Sequence, residues 1–441
     1  QQALSKKPDL IAFSIYTTTY QWACGLAKEI KALCDVPIVF GGIHVTLLPK
    51  KVISQPFVDY AIVGEAEESF LSLVRFLEGK QELQSVSSLF YKKNGEILEN
   101  PVNPLVRNLD ELPFPDKSLF EGAMCYQDDY VILTSRGCLF SCSYCCESFL
   151  NKFYPGRFFR RRSVASVIEE LKVMKERYHF RRVMFFDSIL FTDKKWLEEM
   201  LSAYKKEIGV PFRCLGHVSF FTRDIGVIMK DAGCYSIEFG VQSFNSRVRK
   251  EFLNRHEPDD HFKRAFKICD ELSLHYDVDL MFGLPGSSLE DYETTLIFLK
   301  DFKFINRIKC YYLSYYPKLS IVDKARDLNI LKDEDVRAVE NGEMGNWFHS
   351  DYSKDQQDEL YKQGFKKIYR IYPGLPVAVR AYIIRKKLYK IFGYLPCPMI
   401  VLFQFLIALG KRDYRFRIYI NNYFCHFMSR VFKREKHASK T

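Results

Sequence analysis

Short apolar runs alternate with longer stretches of helical periodicity over most of the chain. Asp9–Tyr16 is apolar between Pro8 and a run of threonines, and reads as a strand buried on both faces. Gln21–Leu33 repeats apolar residues at helical spacing. Val36–Gly42 is a second strand ending in a glycine pair, Tyr60–Gly64 a third, and Glu65–Leu77 a second helix. This alternation predicts a doubly wound α/β unit. Ligands of such sheets lie at the carboxyl ends of strands, where glycine admits close backbone approach. Ser14, Gly41 and Gly42 occupy such ends.

Asn94-Gly95 between the β-type runs of Ser88–Glu99 predicts a hairpin with a type I′ turn. Leu109–Pro115 is proline-rich and reads as a linker. From Tyr130 the alternation resumes. Strands are expected at Tyr130–Thr134, Arg182–Phe186, Pro211–Gly216, Ser236–Val241, Asp277–Phe282 and Arg307–Tyr312. Helices are expected between them at Ser163–Tyr178, Lys194–Glu207, Thr222–Asp231, Asp259–Leu274 and Leu289–Phe302. Six repeats are too few for an eight-stranded barrel, so an open one is expected, with its chemistry at the carboxyl ends of the strands. The fold class is α/β. A partial Rossmann-like doubly wound domain covers 1–80, a hairpin and linker 81–125, a partial (β/α)6 barrel 126–325, and a helical extension 326–441, basic from 380.

Composition is that of a globular chain, 47% hydrophobic and 27% charged over 441 residues. The net charge of +11 is unevenly placed: Ile371–Thr441 holds fourteen Lys and Arg against Asp413 and Glu435, which leaves the rest close to neutral. Charge therefore excludes a nucleic-acid-binding body. Thirteen cysteines, an odd number in a long chain, fit free thiols in a reducing, cytoplasmic setting better than disulfides. The sequence opens on Gln1 with no Met and enters a buried-type strand within ten residues, so a continuation upstream is expected.

The candidate chemistry sits just after the Tyr130 strand. Cys138, Cys142 and Cys145 follow one another at spacings of four and three residues. Zinc wants four ligands, usually as CxxC pairs, and neither a second pair nor a nearby His at that spacing is present. Three thiolates with one position left open suit a 4Fe-4S cluster with one iron free. A zinc knuckle and ordinary buried thiols are the competing readings. Cys146 cannot easily face the same iron and reads as structural.

This CxxxCxxC spacing, with Tyr144 before the last cysteine, resembles the radical S-adenosylmethionine enzymes. Later segments fall in that family's order. Phe185–Phe191 resembles its segment after the second strand, where Asp187 carries over and Ser188 replaces the second acid. Glu238–Ser243 resembles the strand whose polar end meets the ribose or carboxylate, with Gln242 in place of the usual Glu and Ser243 beside it. Met281–Gly286, with Gly283 and Pro285, resembles the turn beside the adenine, and Tyr315–Pro317 the closing element. The resemblance covers Tyr130–Asp323. It implies that Cys138, Cys142 and Cys145 hold the cluster and that Tyr144, Asp187, Gln242, Ser243, Gly283 and Pro285 bind S-adenosylmethionine.

Gly41-Gly42-Ile-His44 and Asp59–Glu67, placed before such a domain, resemble the cobalamin-binding unit of that superfamily's methylating branch. The resemblance implies that Ser14, Gly41 and Gly42 line the channel for the cobalamin tail. His44 reads as a loop or capping residue rather than a cobalt ligand. A cobalt-ligating DxHxxG motif would fall before Gln1.

The resemblance further implies reductive cleavage of S-adenosylmethionine to a 5′-deoxyadenosyl radical and cobalamin-dependent methyl transfer to an unactivated carbon. The expected substrate is a small or lipid-like molecule, and the expected partner a reductant such as ferredoxin or flavodoxin. Radical cyclisation or rearrangement with the same cofactors is a second reading, and a non-catalytic iron–sulfur or zinc protein a third. His217, His256, Tyr311, Tyr312 and Tyr315 are candidates to line the substrate site, each with packing as its competing role. Arg380–Lys390 is basic and apolar together, and Ile391–Leu409 carries no charge. A helical cap, a segment lying on anionic lipid and a membrane span are the three readings there. Gly393, Pro396, Pro398 and Gln404 weigh against the span.

Overall fold

The computed structural model describes residues 4–121, 124, 126–156, 158–343 and 356–411. Its first sheet has five strands in sequential spatial order. β1 (Ile11–Ser14), β2 (Ile38–Gly41) and β3 (Tyr60–Ile62) run parallel, with Ser14 paired to Gly41. The hairpin β4 (Leu89–Lys93) and β5 (Glu96–Glu99) then joins β3 antiparallel. The hairpin expected with the connecting stretch therefore extends the first sheet. Leu89 and Tyr91 are apolar and buried with Val39 and Ile62, which gives that edge a second core. Asn94 (φ 53°) and Gly95 (φ 83°) both adopt the left-handed geometry of the turn read from their sequence.

The second sheet contains β6 (Tyr130–Ile132), β9 (Val183–Phe185), β10 (Phe212–Gly216), β11 (Cys234–Gln242), β12 (His275–Phe282) and β13 (Ile305–Tyr312), in that spatial order. All neighbours are parallel. β6 and β13 stand at opposite edges, so the barrel is open. A small antiparallel ribbon, β7 (Ser135–Arg136) with β8 (Arg160–Arg161), lies outside it. The last three strands begin earlier than their apolar runs suggest, because polar Tyr235, His275 and Asn306 take part in their amino ends.

Helix starts follow local chemistry. Ser163, Asp193 and Thr222 each accept a backbone N–H of the following turn. Ser288 and Asp291 form a reciprocal capping box. The helices pack one face of the sheet, where Phe239, Val241, Tyr276 and Val278 enter a single large core.

The carboxyl ends of the two sheets meet. Gly64 and Glu65 follow β3, and the Glu65 N–H donates to the Tyr154 hydroxyl at 2.6 Å. Glu65 also pairs with Arg160 at 3.0 Å and with Arg136 at 3.3 Å. On the other side, Gln21 after β1 donates to the Asn341 carbonyl beyond β13.

Helix Gln356–Ile371 closes over the β13 edge. Phe365, Ile368, Tyr369 and Tyr372 belong to the barrel core. Arg380, buried, donates to the carbonyls of Lys300 at 3.1 Å and Phe302 at 2.6 Å, just past the end of helix Leu289–Leu299. This part of the extension is thus a cap. The uncharged stretch divides at Pro396 into helices Tyr389–Phe392 and Cys397–Lys411. No helix among the described residues is long and apolar enough to cross a membrane, which removes the spanning reading for them. The basic residues from 412 onward lie outside the described residues.

The Tyr369 hydroxyl donates to the Tyr292 carbonyl at 2.6 Å inside the core. Tyr369→Phe leaves that buried carbonyl without this donor and is expected to cost about 1–2 kcal/mol, read as a lowered midpoint in denaturant unfolding.

Candidate functional site

Every residue singled out in the second sheet stands at its carboxyl end. The cysteine loop follows β6, Asp187 follows β9, Gln242 and Ser243 end β11, and Gly283 and Pro285 follow β12. The apolar strand β6 is anchored beneath the loop by Asp187. Its Oδ1 accepts from the Thr134 N–H and hydroxyl, both at 2.9 Å, and from the Ser135 hydroxyl. Asp187 is sealed from solvent, burial raises its carboxyl, and its Oδ2 meets no partner among the described residues.

Gly137 turns the chain into the loop at φ +87°, where a Cβ would stand 2.8 Å from the Phe158 carbonyl oxygen. Only glycine passes there without displacing the ribbon. Backbone bonds then fix the loop: Ser143 N–H donates to the Leu253 carbonyl at 3.0 Å, and Cys145 N–H to the Cys142 carbonyl at 3.1 Å. Asn254 Nδ2 donates to the Ser141 carbonyl at 2.7 Å. Cys138, Cys142 and Cys145 are free and partly exposed. Burial raises all three thiols, to about 12 at Cys145, while the Arg255 guanidinium opposes it at Cys142. They are neutral until something takes their protons, as metal binding does. Cys146 starts the helix to Phe153 and packs on a separate apolar cluster with Tyr316, in keeping with a structural role.

Among the described residues no three His, Cys, Asp or Glu side chains gather closely enough to hold an ion. A cubane spreads its thiolates over separate irons, so its ligands stand farther apart, and three short-spaced thiols on a glycine-turned loop fit it.

The sequence reading missed a buried polar network behind the loop. Arg255 donates to Glu257 Oε1 from Nε at 2.8 Å, lies 3.2 Å from His217 Nε2, and reaches the Tyr144 hydroxyl at 3.3 Å. His217 lies 2.6 Å from Glu257 and stacks on Phe140, with ring centroids 4.0 Å apart. Burial would raise the Glu257 carboxyl, but His217 and Arg255 outweigh it and hold it well below 4.5. Burial lowers His217 despite Glu257. The sequence signal was the charged run Arg255–Asp260, shortly after the helix Ser246–Glu251 that follows β11. Of the other substrate candidates, Tyr315 is core-buried, Tyr311 is half exposed on β13, and His256 bonds Asn254 Oδ1 at 3.1 Å.

Gln242 is left-handed (φ +68°) beside a register shift in β11, so the strand bends where its polar end begins. The Ser243 hydroxyl accepts from the Asn245 N–H at 3.1 Å. Gly283 (φ +72°) and Gly286 (φ +71°) make the turn after β12.

In the first sheet Ser14 is exposed at the end of β1, with Gly41 and Gly42 beside it. Gly42 has φ +95°, and a Cβ there would lie 2.6 Å from the Ile15 amide nitrogen, so the two strand ends approach through a position only glycine fills. His44 lies in helix Ile43–Leu47, not in a loop. It is fully buried, 3.0 Å from the Thr17 hydroxyl, with its ring tilted against Tyr20 at 4.2 Å between centroids.

Residues 132–299 match the Radical SAM superfamily and residues 1–74 a B12 binding domain. An uncharacterised methyltransferase of Pyrococcus horikoshii is 30% identical over 66% of this chain and 64% of its own length. The anaerobic magnesium-protoporphyrin IX monomethyl ester cyclase of Rubrivivax gelatinosus is 23% identical over 67% of this chain and 54% of its own. The chain therefore spans less than two thirds of either relative. Among solved structures, the cobalamin-dependent S-adenosylmethionine radical enzyme OxsB with aqua-cobalamin bound aligns with TM-score 0.68 at 14% identity, over 96% of this chain and 68% of that one. The likeness to OxsB is one of fold.

Proposed function

Because the chain carries a radical SAM domain behind a B12-binding domain, we propose that it is a cobalamin-dependent radical S-adenosylmethionine enzyme that transfers a methyl group to a carbon of a small molecule. The observation that carries this reading is the meeting of the two carboxyl ends. Ion pairs of Glu65, after β3, with Arg136 and Arg160 join the carboxyl end of the first sheet to the ribbon beside the cysteine loop. When bound, the cluster supplies the electron for reductive cleavage of S-adenosylmethionine, and cobalamin carries the methyl group.

The chain's own residues bind and orient. Cys138, Cys142 and Cys145 would hold the cluster through three of its irons. Tyr144 and the Gly283–Pro285 turn form the adenine side, and Gln242 and Ser243 offer hydrogen bonds to ribose or carboxylate. Asp187 acts through Thr134 and Ser135 as a positioning residue for the loop. Ser14, Gly41 and Gly42, at the strand ends, would line the cobalamin tail. A reductant such as flavodoxin or ferredoxin supplies the electron. The half-exposed side chains of Ile391, Leu402 and Leu406, with Lys390 nearby, favour peripheral contact with anionic lipid. Co-sedimentation with anionic vesicles checks that contact, and equal recovery with neutral vesicles would argue against it.

Radical cyclisation is the second reading, favoured by the likeness to the Rubrivivax protein. Product analysis of the reconstituted enzyme with its reductant separates the two. Methyl transfer yields both 5′-deoxyadenosine and S-adenosylhomocysteine, whereas cyclisation yields the first alone. Neither product would overturn both.

A further inference from the structure

A cavity of about 1020 Å³ opens beside the cysteine loop, and none of the residues assigned above to a cofactor lines it. Its walls come from Leu105 and Arg107 of the linker, Leu139 of the loop, Arg160 and Arg161 of β8, and Thr192–Lys194 beyond β9. Among the described residues, four cations line it with one acid, Asp193. Two of the four are already matched, Arg160 by Glu65 at 3.0 Å and Lys194 by Asp224 at 3.0 Å. Asp193 itself is engaged, accepting from the Trp196 N–H at 3.1 Å as a helix cap.

Arg161 is different. Its Nη2 donates to the Thr192 hydroxyl at 2.8 Å, but its Nε and Nη1 are buried and meet no acceptor among the described residues. No carboxylate among them lies within ion-pair distance of its guanidinium, although Asp187 and Asp193 act on it from farther away. The guanidinium carbon lies over the Trp196 ring, 4.3 Å from its centroid, a cation–π contact. Buried cations are ordinarily paired, and orphaned buried donors are costly. Arg161 as a residue is only partly buried and lines the cavity, and a guanidinium with donor capacity unspent is suited to a planar or tetrahedral oxyanion. Arg107, exposed at the rim, adds a second cation with no ion pair among the described residues.

We propose that this cavity seats the oxyanion group, a carboxylate or phosphate, of the small-molecule substrate, with Arg161 as its anchor and Arg107 at its mouth. The proposal rests on the small-molecule enzyme reading given above. A recessed cavity of this size suits a small molecule better than the acidic face of a reductant protein.

Isothermal titration of the reconstituted full-length protein with inorganic pyrophosphate, and separately with citrate, tests it at low salt. Saturable binding at one site is expected for at least one probe. Arg161→Gln should weaken it at least about tenfold, and Arg107→Gln several-fold, with cluster content unchanged. Arg107 is exposed, so its variant reads the site even if Arg161→Gln folds poorly. No saturable heat, binding indifferent to both substitutions, or heat only with flavodoxin would overturn the proposal. Titration reads no turnover. Anion binding without cleavage of S-adenosylmethionine would sink the enzyme reading alone, and cleavage without anion binding would sink this site alone.

Discussion

Cys142→Ala is expected to remove the iron–sulfur absorbance and all formation of 5′-deoxyadenosine, while the thermal midpoint of the metal-free protein stays within about 3 °C. The two effects separate because of where the thiol sits. It stands in a loop whose shape is set by other atoms, among them Ser143 bonded to Leu253 and Asn254 bonded to Ser141. Removing one sulfur leaves those bonds intact but leaves the cluster one ligand short. Cys138→Ala and Cys145→Ala should behave alike. Cys146→Ala is the internal control: Cys146 starts the helix after the loop and packs in an apolar cluster with Tyr316, so iron content should persist. Iron and sulfide assays beside a melting curve check all four variants. Loss of iron in Cys146→Ala equal to that in Cys142→Ala would overturn the ligand assignment.

Arg255→Leu should be the most damaging substitution outside the cysteines. It deletes the cation that neutralises Glu257 and leaves that carboxylate buried with His217 alone. Uncompensated buried charge costs about 3–5 kcal/mol, read as a drop in denaturant midpoint. It also frees the Tyr144 hydroxyl beside the loop. Arg255→Lys keeps the charge and should recover part of the loss. The acid limb follows from the same group. Because the folded Glu257 carboxyl lies below its ordinary 4.5, its stabilisation is complete above that pH and drains as pH falls toward the folded value. In Arg255→Leu the carboxyl loses its cation and takes up its proton at higher pH. The acid limb of stability should shift upward, and an unchanged limb would exclude Glu257 as its source.

The parts legible in the sequence are those written in local patterns. Apolar runs bounded by glycine and proline locate the strands, and Asn94-Gly95 fixes the hairpin turn because few other pairs tolerate two positive φ angles. The cysteine spacing is local for the same reason, since one loop supplies all three thiols. The Arg255 network was not legible. Its members Tyr144, His217, Arg255 and Glu257 come from three loops, and only the side-by-side order of β6, β9, β10 and β11 in one sheet brings them together. The hairpin's place at the edge of the first sheet was hidden because pairing partners carry no marker in sequence. Nor could Arg161 be distinguished from its neighbour Arg160. One finds Glu65 across the interface, and the other lies over Trp196 with two donors unspent.

The central claim is that the three-cysteine loop leaves one iron open to S-adenosylmethionine. Electron paramagnetic resonance of the reconstituted, dithionite-reduced protein tests it most directly, with spectra taken before and after S-adenosylmethionine is added. A reduced 4Fe-4S signal that changes shape on addition is the predicted result. A signal indifferent to S-adenosylmethionine, or a protein that takes up zinc and no cluster, would contradict it.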